Sequence, residues 1–294
     1  NFKEKGIPCL GIEPTESTAL RARELGLDII CDFCSEKKAL KISKEKGNAD
    51  LVIANNVYAH VPDINDFTLG LKNLMKPDGL LSIEFPHILN LIKYSQFDTI
   101  YHEHYSYLSL KSVNNIFRYF NLRIWKVEKL KTHGGSLRVF ACNEKSRFKD
   151  ESSLSKILEE EEYFGIDNIK TYSDFQIKAN KIKDNLLMLL INLKTSGKKV
   201  VAYGAAAKGN TLLNYAGIKT DLISCVFDSA ESKQFMFLPG SHIPILPPAD
   251  ILKINPDYIL ILPWNISEEI INQLSFLKKS GVKFITAIPE IKIV

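Results

Sequence analysis

The first half of the chain predicts an α/β fold built on a parallel, doubly wound sheet, and three observations carry that expectation. Short apolar runs alternate with longer amphipathic ones, the apolar runs close on acids or amides, and Gly, Pro, Asp and Asn punctuate the joins. Crossovers of helical length place successive strands parallel. The last hundred residues repeat the alternation, so a second α/β domain is expected.

NFKEKG at the start reads as the end of a helix capped by Gly6. PCLGIE is a short strand ending in an acid, STALRARELG a helix and LDIICDF a second strand. SEKKALKISKEKG is a polar helix and ADLVIAN a buried strand; INDFTLGLKNLMKP has apolar residues at helical spacing. DGLLSIEFP supplies a turn and a further strand. LSLKSVNNIFRYFN is a helix, and NLRIWKVEKL with SLRVFACN should form a terminal antiparallel pair. The charged run NEKSRFKDESSLSKILEEEEYFG marks a boundary and reads as the solvated face of a helical connector reaching residue 196. Beyond it, KKVVAYGAAAKGNTLLNYAG is strand, glycine turn and helix, while LISCVFD, DYILILP and VKFITAIP are strands. The expected division is 1–147, a connector over 148–196, and 197–294.

Charge narrows the partners. Lys and Arg number 38 against 34 Asp and Glu, and the two signs are interspersed, so nucleic acid is not expected. No apolar run approaches the ~18 residues that span a bilayer. No signal-peptide pattern opens the chain, so a cytoplasmic address without a membrane partner is the expectation. Five cysteines, an odd number, argue for a reducing compartment. Cys31 and Cys34 form a CxxC, but zinc needs a second ligand pair that Cys9, Cys142 and Cys225 do not supply. Buried thiols are expected, and no metal in this chain.

Ligands of doubly wound sheets bind at the carboxyl ends of the strands. Those positions hold Glu13, Phe33, Asn55, Asn56, His60 and Glu84. An acid ending the second strand of a nucleotide-binding unit accepts hydrogen bonds from ribose hydroxyls, which makes Glu13 a candidate. A solvated acid before a proline is the plainer alternative.

The succession GIEPT, IANNVYAHVPD and LMKPDGLLSIEFP resembles the core of class I S-adenosylmethionine-dependent methyltransferases from the second strand onward. EFPHILNLIKYSQFDTIYHEHYSYLSLKSV, THGGSLRVF and VVAYGAAAKGNTLLNY, in that order, resemble the sugar C-methyltransferases, which methylate a carbon of nucleotide-linked 4-keto-deoxysugars. The resemblance implies a class I methyltransferase (Rossmann-like) core lacking its first strand, followed by a C-terminal Rossmann-like α/β domain. It implies S-adenosylmethionine as cofactor, with Glu13, Phe33, Asn55 and Asn56 along its site. The implied partner is a nucleotide-diphosphate sugar, dTDP-linked, and the chain is expected to be a monomer or weak oligomer. Complete family members begin with a cysteine-rich zinc module and a glycine-rich first cofactor turn. Neither stands in these residues, so zinc belongs only to that module.

The chemistry explains why YHEHYSY gathers proton-handling groups. Methylating carbon requires a carbon nucleophile, reached by removing a proton beside a carbonyl to give an enolate. A base and an oxyanion stabiliser are needed, and histidine suits proton abstraction near neutrality. The family's Y-x-E-H motif falls on Tyr101, Glu103 and His104, and its further histidine on His60 in YAHVPD. By that resemblance His104 takes the C3 proton, while Tyr101, Glu103 and His60 hold hydroxyls and stabilise the enolate oxygen. In THGGSLR, glycines would let backbone approach a ligand, and Ser136 and Arg138 could contact the sugar nucleotide. The match to the family's C-terminal domain places Tyr203, Lys208 and Asn210 near the same ligand.

Other readings compete. His102 and His104 would share one face of a strand and could ligate a metal with Glu103 or His60. GAAAKG is not GxGxxG and lacks a Walker lysine followed by Ser or Thr, so tight strand-to-helix packing is the plain account of its small residues. A nicotinamide-dependent sugar-nucleotide oxidoreductase would also use Glu13 and two Rossmann-like halves. A non-catalytic sugar-nucleotide-binding module is the third possibility.

Overall fold

A computed structural model describes residues 2–294. Asn1, part of the expected capped helix end, lies outside them; Lys3–Lys5 is a single 3-10 turn closed by Gly6 at φ 67°. In chain order follow β1 (Leu10–Ile12), α1 (Glu16–Glu24), β2 (Asp28–Ile30), α2 (Glu36–Lys46), β3 (Ala49–Asn55), α3 (Ile64–Leu74) and β4 (Met75–Pro86). Then come α4 (Ile88–Lys93), α5 (Leu110–Tyr119), β5 (Leu122–Leu130), β6 (Ser136–Asn143), α6 (Ser153–Phe164) and α7 (Ile169–Thr195). The C-terminal part holds β7 (Val200–Tyr203), α8 (Ala207–Tyr215), β8 (Val226–Phe227), β9 (Ile245–Leu246), β10 (Tyr258–Ile261), β11 (Lys283–Thr286) and β12 (Lys292–Ile293).

By contact the chain gathers into two compact units, neither of them one continuous stretch. The first takes 1–85, 110–128 and 138–157; the second takes 86–109, 129–137 and 158–294.

In the first unit the helix starts follow capping chemistry. The Ser35 hydroxyl accepts from the Lys38 amide at 3.2 Å, and the Asp63 carboxylate accepts from the Asn65 and Asp66 amides. Helix α5 buries Leu110, Val113, Asn114 and Phe117 and exposes the residues between, the stripe of a helix packed on one side. Strands β1 and β2 pair in parallel, as do β3 and β4. The parallel sheet expected to be continuous is two: β1-β2 alone, and β3-β4-β6-β5. No described strand joins β2 or β1 to β3. The KPDG turn, expected to precede its strand, lies inside the twelve-residue β4, where the pairing shifts register between Ala49 and Leu51. A bulge absorbs the turn residues without ending the strand.

The second unit carries a six-stranded sheet of order β12-β11-β10-β7-β8-β9, parallel except for the β11–β12 pair. Its central strand alternates: Val200 and Ala202 join a core with Leu186 and Leu190 of α7, while Val201 and Tyr203 join a core with Ile259 and Phe284. Helix α7 reaches the sheet through Ala179, Ile182, Leu186, Leu190 and Leu193, spaced three and four apart. The three family-like stretches YHEHY, THGGS and GAAAKGN all supply residues to this unit.

Candidate active site

In the first unit the strand ends bring acceptors forward. The Glu13 amide donates to the Ile30 carbonyl at 3.0 Å, and one Glu13 carboxylate oxygen accepts from the Thr15 amide at 2.8 Å. Asn55 pairs with Glu84 across β3 and β4, and the Asn56 amide donates to the Glu84 carbonyl at 2.7 Å. Asn56 leaves the strand at φ 55°, a left-handed conformation that asparagine tolerates, and its Oδ1 is buried without a hydrogen-bond partner. Phe33 is 71% exposed. His60 is half-buried, its amide closing a turn on the Val57 carbonyl. Acceptors at strand ends, one of them orphaned and buried, fit an adenosine group rich in hydroxyl and amine donors.

Arg138 also lies in this unit. Its Nη2 donates to Oε2 of the buried Glu84 at 2.9 Å, a charge-assisted bond that already engages the guanidinium.

In the second unit YHEHY is not a strand but a run of turns between the Phe97–Thr99 3-10 turn and α5. The shared-face geometry behind a His102–His104 metal pair is therefore not what forms: His102 and Glu103 are exposed, whereas His104 is half-buried. Among the described residues no group of three or more His, Cys, Asp and Glu is arranged to hold a metal ion. The His104 ring stacks on Tyr101, centroids 4.4 Å apart at 27°, and meets Tyr107 edge-on at 6.0 Å. Its Nδ1 lies 2.8 Å from the Thr99 carbonyl oxygen. A carbonyl only accepts, so Nδ1 carries a proton, and whenever the ring is neutral its basic nitrogen is Nε2. Burial raises the Tyr101 phenol above its ordinary pKa, helped by Glu103, Asp98 and Tyr107, so it stays protonated and able to donate.

The glycines of THGGS make room for the protein's own side chains. A Cβ on Gly134 would strike the Trp264 ring at 2.5 Å and one on Gly135 the Asn90 side chain, and both residues hold positive φ. Ser136 is fully buried, its hydroxyl donating to the Thr132 carbonyl at 3.1 Å. Gly204 and Gly209 act alike: a Cβ on either would meet Pro263 or Leu262, which is the tight strand-to-helix packing of the plainer reading. Tyr203 is buried with its hydroxyl unpartnered, and Asn210 Oδ1 is likewise buried and orphaned. Lys208 donates to Asn265 Oδ1 at 2.7 Å and lies 4.8 Å over the Trp264 ring; burial lowers its pKa, which Asp98 partly offsets.

Sequence reasoning missed two acids. Asp98 is 0% exposed and accepts from the Trp264 indole at 2.7 Å, while its other oxygen has no partner. Asp228 ends β8, accepts the Ala205 amide at 2.7 Å and pairs with Lys233. The Ala205 amide of the glycine turn is therefore already held by a carboxylate. Asp98 was visible as an acid inside the apolar QFDTI run; its partner, 166 residues on, was not. The cysteines divide, Cys142 and Cys225 buried but Cys9 and Cys31 exposed, against the expectation of buried thiols.

Parallel β/α alternation with acceptors at the strand ends is the layout of S-adenosylmethionine-dependent methyltransferases, and the family comparisons place the chain in that class. A methyltransferase-domain profile matches residues 1–127, and one described as the C-methyltransferase C-terminal domain matches residues 131–289, over half of the chain. The chain belongs to the C-methyltransferases. It is 35% identical over all 294 residues to C-methyltransferase NovU of Streptomyces niveus, spanning 70% of that protein. It also overlaps the PH0226 protein of Pyrococcus horikoshii (15% identity, 48% of this chain and 74% of that one, TM-score 0.39). An overlap of similar extent is found with a SAM-dependent methyltransferase of Anabaena variabilis (12%, 48% and 71%, TM-score 0.40). The fold assignment rests on the family match and the strand pattern, not on these overlaps. The family match also decides against the nicotinamide-dependent alternative. No described helix is long and apolar enough to cross a membrane.

Proposed function

We propose that this enzyme methylates a carbon, C3, of a nucleotide-diphosphate 4-keto-deoxysugar, dTDP-linked, through an enolate, with His104 as the base. The observation that supports the reading is the bond between His104 Nδ1 and the Thr99 carbonyl at 2.8 Å, which puts a proton on Nδ1 and so makes Nε2 the basic nitrogen of the neutral ring. His104 removes the proton beside the ketone; the C–H pair becomes the carbon–carbon double bond and the carbonyl electrons move onto oxygen. Tyr101, kept protonated, would donate to that oxygen, with Glu103 and His60 holding hydroxyls. Glu13, Phe33, Asn55 and Asn56 would hold S-adenosylmethionine, which when bound supplies a methyl group made electrophilic by its sulfonium. Arg138, Tyr203, Lys208 and Asn210 would meet the sugar nucleotide, the orphaned Tyr203 hydroxyl and Asn210 Oδ1 being the polar atoms that still lack partners, whereas Ser136, fully buried on the Thr132 carbonyl, would support them from behind. In this reading residues 1–147 are the methyltransferase part, 148–196 the connector and 197–294 the domain that contributes to the sugar-nucleotide site.

The test is solvent exchange. With a dTDP-4-keto-deoxysugar in deuterium oxide, deuterium should enter at C3 without methylation, and His104→Ala should lower the rate by roughly 10²- to 10⁴-fold. Exchange that survives the substitution rules out His104 as the base. Binding of the sugar nucleotide by wild type with no exchange at all would favour the non-catalytic binding module instead.

A further inference from the structure

Four residues from three separate stretches of sequence brace one short turn in the second unit. Asp98 sits in the Phe97–Thr99 turn with its side chain wholly buried, and its Oδ2 accepts the Trp264 Nε1–H at 2.7 Å. On the other side, Gln96 Nε2 donates to the Gly134 carbonyl at 2.7 Å. Gly134 in turn lies so close to the Trp264 ring that no side chain fits between them. The turn closes on itself through Gln96, whose carbonyl accepts from both the amide and the hydroxyl of Thr99. The turn ends on the Thr99 carbonyl, the atom that holds His104 Nδ1. Gln96, Gly134, Trp264 and Asp98 thus form a ring of contacts with one functional output.

We propose that Asp98 is a positioning residue for the transfer reaction: through Trp264 it clamps the turn whose Thr99 carbonyl sets the orientation and tautomer of His104. Burying a carboxyl completely, with one oxygen unpartnered, is costly, and the indole bond offsets part of that cost. A residue needed only to fill space at that position would be apolar. The clamp acts on the base without touching substrate, because a carbonyl displaced by even an ångström no longer selects one ring nitrogen over the other. The inference rests on His104 being the base, so its experiment needs a readout that does not depend on turnover.

Histidine tautomers supply it. In full-length protein labelled with ¹⁵N-histidine, long-range ¹H–¹⁵N spectra separate protonated from unprotonated ring nitrogens, and His104→Gln identifies the His104 signals. Wild type should show Nδ1 protonated and Nε2 bare at pH 8. Trp264→Phe, which removes the indole donor and keeps an aromatic ring, should mix the tautomers and slow C3 exchange about tenfold. Asp98→Ala should do the same, and Asp98→Asn, which keeps an acceptor for the indole, should restore the single-tautomer signature that Asp98→Ala loses. An unmixed His104 tautomer in Trp264→Phe, with exchange within twofold of wild type, overturns the proposal even if Asp98→Ala does not fold. Wild type that shows the expected tautomer but no exchange would instead count against the sugar substrate and leave the clamp supported by the variants' spectra.

Discussion

Replacing Asp98 by Asn should stabilise the protein, and by more at high pH than at low. Burial pushes the Asp98 carboxyl from its ordinary 3.8 up to about 7, against the opposing pull of the Trp264 hydrogen bond and the Lys208 charge. The groups facing it are Trp264 and Lys208 from elsewhere in the unit and Tyr101 from its own segment. Between the two pH values the folded chain holds a proton that the unfolded chain has released, so wild-type stability falls as pH rises through that window and levels off above it. From pH 5 to the folded value is about 2 units, or roughly 3 kcal/mol at ~1.4 kcal/mol per unit. Asp98→Asn removes the ionisation while keeping an acceptor for the indole. Its stability relative to wild type should therefore be about 3 kcal/mol more favourable at pH 8 than at pH 5. Urea unfolding at both pH values, followed by tryptophan fluorescence, measures the difference. A gap that does not change with pH would refute the argument, because a packing or hydrogen-bond effect carries no proton linkage.

Two further outcomes extend beyond the tests of His104 and Trp264. Glu13→Ala should weaken S-adenosylmethionine binding by roughly tenfold, the worth of one hydrogen bond to a charged acceptor, as read by calorimetry on the full chain; an affinity within twofold of wild type removes Glu13 from the cofactor site. Glu84→Ala leaves the Arg138 guanidinium without its carboxylate in a part-buried position and should destabilise the protein by on the order of 3 kcal/mol in chemical denaturation, a loss that additional removal of Arg138 should partly restore.

Local patterning made most elements legible. ADLVIAN, read as a buried strand, forms β3 over the same seven residues, but only Val52 and Ala54 are buried, while Leu51 and Ile53 on the other face are exposed. The helices α2, α3 and α5 were readable because helical spacing repeats within four residues. YHEHY was legible as chemistry but not as conformation. Nothing local says whether such a run is a strand or a series of turns, and the difference separates His102 from His104.

The sequence by itself determined the α/β class, the order of elements, the family and the histidine to examine, since these rest on periodicity and on contiguous motifs. Only the tertiary structure decided which nitrogen of that histidine bears the proton and that the glycines of THGGS make room for Trp264 and Asn90. It alone joined an aspartate in one segment to an indole 166 residues away. Hydrogen-bond geometry depends on distances of a few tenths of an ångström between groups that the chain order leaves unrelated, and those distances exist only once the cores on both faces of the β7 sheet have packed.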